Sequence, residues 1–186
     1  MSEIFVGNAL KDGYRDQVYL STKLPSWNVG KKEDFNYYLD EQLKRLQTDK
    51  IDFYLLHGLG HSTWKNLKDL DVFEFLDSAI EDDRIGYAGF SFHDELKLFK
   101  EIVDSYNWSF AQIQYNYMDQ KFQAGKVGLE YIASKNMGTT IMEPLRGGCL
   151  TNNIPSDIQD IWNQAETKEV LLNGLYASFG INNKLT

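Results

Sequence analysis

Strand-like and helix-like patterns alternate along most of this 186-residue chain. Short runs of β-branched and aromatic residues are each followed by a loop and then by apolar residues at helical spacing. Such strict alternation is typical of a parallel sheet with helices outside it. The predicted strands are 18–23, 51–57, 84–91, 110–115 and 139–143. Their centres lie roughly 25–34 residues apart, which is close to the length of one βα unit in an α/β barrel.

Chain length limits the architecture. A complete (β/α)8 barrel needs about 250 residues, or about 30 for each unit. A chain of 186 residues therefore has room for about five to six βα units. We expect a single α/β domain over residues 1–186, either an open sheet or an incomplete (β/α)8 TIM barrel. No Gly-x-Gly-x-x-Gly turn follows a strand, which argues against a dinucleotide-binding Rossmann sheet.

The helices follow from apolar residues at helical spacing, and they are predicted around 4–10, 35–46, 72–80, 96–103 and 127–133. Residues 58–66 are predicted to form a loop. The two glycines of the strand at 84–91 indicate close backbone approach. Beyond Gly148 the pattern weakens: Ile158, Ile161 and Trp162 suggest a short helix, and residues 169–186 have no clear period.

Composition excludes several function classes. The net charge of −8 argues against a nucleic-acid surface, which requires a basic stripe. The single cysteine, Cys149, rules out an internal disulfide and a cysteine-based iron–sulfur or zinc site within the chain, and it fits a reducing, cytoplasmic compartment. The N-terminus lacks a signal-peptide pattern, and no apolar run approaches the roughly 18 residues of a membrane span.

Two ionisable residues stand at the ends of neighbouring predicted strands. Lys23 closes the first strand, and His57 closes the buried run Ile51–Leu56 just before Gly58. The carboxyl ends of parallel strands meet at the face where α/β enzymes carry out their chemistry. An imidazole there can exchange a proton near neutral pH. We therefore expect Lys23 and His57 to form a catalytic pair, although each alone could be a solvated or core residue.

Five motifs then fall in order: Ser21-Thr22-Lys23, Ile51-Asp52 through Leu55-Leu56-His57, Arg84-Ile85-Gly86 with Gly89-Phe90-Ser91, Gln112-Ile113-Gln114-Tyr115-Asn116, and Glu143-Pro144-Leu145-Arg146-Gly147-Gly148. Over roughly residues 2–150 this pattern resembles the aldo-keto reductase family. The last motif is similar to the branch whose members often carry a C-terminal ferredoxin-like iron–sulfur segment, and the cysteine count leaves no room for that cluster here.

The resemblance implies a (β/α)8 barrel that reduces a small carbonyl substrate with a nicotinamide cofactor, usually NADPH. Lys23 and His57 match the lysine and histidine of the family's Asp–Tyr–Lys–His tetrad. The tyrosine and aspartate would stand before Ser2, so the chain is expected to be truncated at both ends, departing from the family after about residue 165. Without the tyrosine the proton donor is absent, unless His57 takes that role; Tyr54 points the opposite way by strand alternation. We expect little or no reductase activity from this chain alone.

The same resemblance implies a cofactor site. Ser91 and Gln112 match positions that hold the nicotinamide carboxamide, and Met142 stands where many members have a tyrosine that stacks on the ring. Leu145, Arg146, Gly147 and Gly148 match a loop whose backbone N–H groups can cradle a pyrophosphate, although the glycine pair could be a plain tight turn. Phe92 replaces a common asparagine, which puts one carboxamide contact in doubt. No metal site is expected.

Other interpretations remain open. Lys23 could instead act as a Schiff-base nucleophile in a lyase. The chain could also be a non-enzymatic half-barrel that self-associates through its open edges. His61 and His93 are expected to be solvated loop residues. Trp64 could line a substrate pocket or cover the barrel mouth, and the cluster Tyr115-Asn116-Tyr117 could face either a substrate or the core.

Overall fold

The computed structural model describes residues 2–152 and 154–164. Five parallel strands form one sheet in the order β1-β2-β3-β4-β5, so that each strand is hydrogen-bonded to the next one along the chain. The strands are β1 Ser21–Leu24, β2 Ile51–Leu59, β3 Ile85–Phe92, β4 Phe110–Gln114 and β5 Gly138–Met142. Sequential parallel order with outer helices is the arrangement of barrel strands.

Helices connect the strands and continue beyond the last one. The α-helices are α1 Ser2–Ala9, α2 Glu33–Leu46, α3 His61–Asp69, α4 Val72–Glu81, α5 Leu96–Asp104, α6 Gly125–Ser134, α7 Cys149–Asn152 and α8 Ser156–Asn163. Short 3-10 turns occupy Tyr14–Gln17, Ser26–Asn28 and Arg146–Gly148. The five predicted strands and the short helix near Ile158 are all present. Residues 169–186, which sequence reasoning left without an interpretation, lie outside the described part.

The prediction of a loop over 58–66 is wrong. Strand β2 continues to Leu59, and α3 begins at His61. Gly60, in extended conformation, donates its backbone N–H to Thr63 Oγ1 at 2.9 Å, which closes the first turn of the helix. Trp64 and Leu67 lie on the buried side of α3. The predicted start of β1 at residue 18 is also wrong, because the strand ladder begins at Ser21.

One face of the sheet packs against the helices, and strand alternation decides which residues lie there. These outward residues are almost fully buried: Leu24, Tyr54, Leu56, Phe90, Phe92 and Ile113. Because paired residues of a parallel ladder point to the same side, the opposite face carries Lys23, Phe53, Leu55, His57, Tyr87, Gly89, Ser91, Phe110, Gln112, Gln114, Thr140 and Met142. We call this second side the inner face.

Both glycines in the middle of β3 are sites of close approach, as predicted from the sequence. A Cβ atom at Gly86 would lie 2.8 Å from the carbonyl oxygen of Asp52. A Cβ atom at Gly89 would lie 2.5 Å from the ring of Phe110, which covers the backbone there. The absent side chains therefore permit the packing of β3 against both of its neighbours.

The described residues contain neither a membrane-spanning helix nor a cluster of potential metal ligands. No helix in that part of the chain has both the length and the apolar character needed to cross a bilayer. Within the same residues, His, Cys, Asp and Glu side chains form no group of three or more that could hold a metal ion.

Candidate active site

Lys23 and His57 lie on adjacent strands of the inner face. Strand β1 pairs with β2 so that Lys23 is level with Leu55, and His57 follows two residues later on the same side. Two residues of strand advance correspond to about 7 Å. Both side chains are therefore near the carboxyl end of the sheet, where the sequence predicts a catalytic pair.

A bulge in β2 orients the histidine. Leu56 pairs with Phe90 and Leu59 pairs with Phe92, so β2 contains one extra residue over this stretch. Gly58 absorbs the irregularity with a left-handed φ of 61°. Bulges of this kind re-aim side chains next to functional sites. Here the bulge lets both leucines stay in the core while His57 between them remains on the inner face.

The environment of the pair disfavours positive charge on the imidazole. Burial lowers the pKa of His57 below its ordinary value, and the charges of Lys23 and then His93 lower it further. Burial also lowers the pKa of Lys23. His57 is therefore neutral at pH 7 and can donate or accept a hydrogen bond there. The ring of Trp27 packs against it, with the ring centroids 4.8 Å apart.

Ser91, Gln112 and Met142 continue the same face across β3, β4 and β5. Ser91 is level with Gln112, and Met142 is level with Gln114, two residues beyond Gln112. Ser91 is buried, and its Oγ accepts a hydrogen bond from the N–H of Gly58 at 2.7 Å. The side-chain oxygen of Gln112 is buried and has no hydrogen-bond partner among the described residues. A buried acceptor without a partner is costly, and an amide N–H of a bound nicotinamide fits that need.

The segment after β5 forms an exposed glycine-rich turn. Leu145 and Arg146 are exposed, and Arg146–Gly148 is a 3-10 turn. Left-handed φ values occur at Arg146 (46°), Gly147 (63°) and Gly148 (93°). Successive backbone N–H groups in such turns form concave anion sites. The turn follows the carboxyl end of β5, and Lys23 and His57 lie near the carboxyl ends of β1 and β2 in the same parallel sheet.

Several aromatic side chains near these positions face away from the site. Tyr54 is fully buried on the helix side, and its hydroxyl donates to Gln42 Oε1 at 2.9 Å. Burial raises the pKa of Tyr54, so this tyrosine is a poor proton donor to the inner face. Phe92 packs against Phe99 with centroids 5.0 Å apart, and Trp64 is 1% exposed. Both are core residues, so Phe92 offers no side chain to the inner face, and Trp64 is buried against the core instead of lying in either of the two positions considered from the sequence.

The histidines outside β2 lie at the rim. His61 is the first residue of α3, and its Nε2 lies 3.3 Å from Glu95 Oε1. His93 is exposed, and its Nδ1 lies 3.4 Å from Gln123 Nε2. Their exposure agrees with the prediction that they are solvated, although His93 is near enough to affect His57 electrostatically.

Sequence reasoning missed Trp27 and Asp119, and it left open whether Asn116, which is fully buried, faces a substrate or the core. Trp27 lies four residues after Lys23, and Asn116 comes just after the end of β4. For Trp27 and Asn116 the available signal was the same: a large or polar side chain in the loop that follows a predicted strand. The loop conformation decides which of these side chains turn toward the carboxyl end of the sheet, and the spacing of apolar residues in the sequence does not predict that conformation.

Five parallel strands in sequential order carry a lysine, a histidine and a buried amide oxygen on one face, and this strand order with outer helices is that of an α/β barrel. The chain belongs to the Aldo/keto reductase family, whose family model matches residues 1–178. That match extends beyond residue 165, where the motifs indicated that the resemblance ends.

Two solved structures show the likeness in three dimensions. The holo form of aldo-keto reductase AKR11C1 from Bacillus halodurans is 28% identical, with a TM-score of 0.68 over 81% of this chain and 49% of that one. An aldo/keto reductase from Klebsiella pneumoniae in complex with NADP and acetate is 23% identical, with a TM-score of 0.68 over 92% and 59%. The five-stranded sheet therefore corresponds to part of an aldo-keto reductase barrel.

A curated relative matches a shorter stretch. Methylglyoxal reductase YeaE of Escherichia coli (strain K12) is 42% identical over 59 residues, which are 32% of this chain and 20% of that protein. The chain spans about half to three fifths of the two solved structures described above.

Proposed function

We propose that this chain provides the catalytic lysine and histidine, together with the cofactor-binding residues, of an NADP-linked carbonyl reductase site. The observation that carries the proposal is the shared inner face of Lys23, His57, Ser91, Gln112 and Met142 across five consecutive strands. Its substrate is a small carbonyl compound, and the cytoplasm is the compartment that the single cysteine favours.

The residues of the chain divide the work of binding. Gln112 and Ser91 hold a carboxamide, Met142 packs on the nicotinamide ring with its thioether, and the Leu145–Gly148 turn receives phosphate groups through backbone N–H groups. When bound, NADPH supplies a hydride to the carbonyl carbon. Lys23 and neutral His57 polarise the carbonyl oxygen by charge and hydrogen bonding.

Proton delivery limits the rate. The alkoxide that forms after hydride addition needs a placed acid, which contributes typically about 10²–10⁴-fold to the rate. Tyr54 cannot supply it because its hydroxyl is buried on the other face. His57 has a lowered pKa and is neutral at pH 7, so it is a weak substitute. This chain alone therefore binds the cofactor but turns over slowly.

The test combines binding and turnover. NADPH binding is measured by fluorescence titration, and NADPH oxidation is measured with methylglyoxal and a panel of aldehydes and ketones. We expect saturable binding with a kcat about 10²–10⁴-fold below that of a complete reductase. Residual turnover falls further in Lys23→Met and His57→Gln and is unchanged in Lys126→Met, a control on the outer helix α6. Turnover comparable to a complete reductase contradicts impairment, and absence of NADPH binding contradicts the proposal as a whole.

A lyase is the second candidate, and the lowered pKa of Lys23 favours it. An amine that loses its proton more easily is a better carbonyl nucleophile. Borohydride trapping of a carbonyl substrate, followed by peptide mass spectrometry, detects an adduct on Lys23. An unmodified Lys23 at saturating substrate removes this candidate.

Self-association is the third candidate, and the exposed surfaces of the sheet favour it. Thr139 and Thr140 of the terminal strand β5 are exposed, and on the inner face Tyr87 is 52% exposed. Unpaired strand edges and open apolar faces promote pairing with another chain. Light scattering over a range of concentrations tests it: a rising mass without cofactor binding supports a non-enzymatic half-barrel, and a cofactor-binding monomer argues against it.

A further inference from the structure

One buried amide joins the ends of strands β4 and β5. Asn116 is fully buried two residues after β4 ends. Its Oδ1 accepts hydrogen bonds from the backbone N–H groups of Met118 at 3.0 Å and Asp119 at 2.9 Å. Its Nδ2 donates to Asp119 Oδ2 at 2.9 Å and to the carbonyl oxygen of Glu143 at 3.2 Å. These four bonds use the full capacity of an asparagine amide.

The Glu143 carbonyl is the point from which the turn after β5 is built. It also accepts the backbone N–H of Arg146 at 3.2 Å, which closes the first turn of the segment. Glu143 and Arg146 both have left-handed φ values, 55° and 46°. Such conformations are unfavourable for residues with a side chain and persist where the surroundings impose them. The amide of Asn116 is one such constraint.

Two further contacts from the same loop reach the same segment. Asp119 Oδ2 lies 3.6 Å from Arg146 Nε, and the hydroxyl of Tyr117 donates to the carbonyl oxygen of Leu150 at 3.1 Å. The segment is therefore held at its beginning, its middle and its end. Of the three residues that make these contacts, Asn116 is fully buried, whereas Tyr117 and Asp119 are partly buried.

We propose that Asn116 is a positioning residue: by fixing the Glu143 carbonyl, it presets the Leu145–Gly148 turn in the conformation that receives the phosphate groups of a dinucleotide. Only the identity of the ligand rests on the proposed function. A preset loop loses less conformational freedom on binding, so the gain appears as affinity.

The experiment separates the two hydrogen-bonding roles of Asn116. In Asn116→Ser the short hydroxyl can still accept the N–H groups of Met118 and Asp119, but it cannot reach Glu143. Ile113→Val is the matched control, because Ile113 is a fully buried β4 residue on the helix side. Two quantities are measured for the 186-residue chain and each variant: amide hydrogen exchange at Leu145–Gly148 without ligand, and the NADPH dissociation constant.

We expect about tenfold faster exchange in the turn and about tenfold weaker NADPH binding in Asn116→Ser, the factor that corresponds to one hydrogen bond. Both quantities stay within about twofold in Ile113→Val. If the amides of the turn in Asn116→Ser exchange at the wild-type rate, the positioning role is overturned, whether or not NADPH binds. If exchange in the turn is faster in Asn116→Ser but the wild-type chain binds no NADPH, the positioning role is supported and the proposed function is overturned. Equal weakening by the serine and valine variants assigns the effect to general stability and also overturns the inference.

Discussion

His57 lies in surroundings that favour its neutral form. Burial is the main cause of its lowered pKa, with Lys23 and His93 adding repulsion. The positions of this residue and Lys23 near the strand ends could be predicted from the sequence, because each ends a strand-like run and parallel strands align their ends. Trp27 could not be identified in the same way, since its contact with His57 depends on the path of the 3-10 turn Ser26–Asn28.

The first prediction concerns the titration of His57. Replacing Lys23 with methionine removes one cause of repulsion, so the pKa of His57 rises toward its usual value of about 6.5, while burial still holds it below that value. NMR titration of the imidazole resonances measures the shift. Lys126→Met, on α6, leaves the titration unchanged, and an equal pKa in wild type and Lys23→Met would show that the two side chains do not interact.

The second prediction follows from the sign of the same shift. Because the folded-state pKa of His57 is lowered, the unfolded chain binds the proton more readily. The stabilising contribution is present above about pH 6.5 and is lost as pH falls through the folded-state pKa. Wild type should therefore lose more unfolding free energy than His57→Gln between pH 7.5 and pH 5, measured by urea denaturation. A parallel loss in both proteins would contradict the shift.

At the scale of elements, the register of the sheet depends on backbone contacts as much as on side chains. Most strands and helices could be predicted because apolar residues recur at different spacings in the two, and because strands and helices alternate regularly along the chain. Helix α3 could not, since its sequence begins with Gly60-His61-Ser62-Thr63, a run typical of loops. Burial of Trp64 and Leu67 against the core stabilises that helix in spite of its local sequence.

The third prediction tests the close approach of β2 and β3. Gly86→Ala places a Cβ atom 2.8 Å from the Asp52 carbonyl oxygen, which is backbone and cannot turn aside. We expect the free energy of unfolding to fall by about 1–3 kcal/mol. In Gly30→Ala the nearest atom is 3.7 Å away, and a change of less than about 1 kcal/mol is expected. Equal effects in chemical denaturation would show that β3 does not pack closely on β2.

The fourth prediction concerns the end of the sheet opposite the candidate site. Asp52 Oδ2 accepts the N–H of Leu20 at 2.7 Å and the guanidinium of Arg15 at 2.8 Å, which fixes the start of β1 beside β2. Asp52→Ala should lower the unfolding free energy by about 1–3 kcal/mol. Lys65→Ala removes an exposed ion pair with Asp69 and should cost at most about 0.5 kcal/mol. A loss in Asp52→Ala no larger than that in Lys65→Ala would show that the Asp52 contacts with Leu20 and Arg15 do not stabilise the fold.

At the scale of the whole molecule, the five-stranded parallel sheet has two chemically different ends. The carboxyl end carries Lys23 and His57, and the amino end carries the ion pair of Arg15 with Asp52. The architecture could be predicted because chain length and strand spacing leave few alternatives. The contacts that join one strand-end loop to the next, such as that from Asn116 to Glu143, could not, because they depend on three-dimensional loop paths.

We propose that NADPH binds the inner face at the carboxyl ends of the strands. A backbone-amide NMR titration with NADPH tests it most directly, since every described strand contributes signals. We expect saturable shift changes at Ser91, Gln112, Met142 and Leu145–Gly148, with none at Arg15 or Asp52. Changes centred on Arg15 and Asp52, or no saturable change at all, would contradict it.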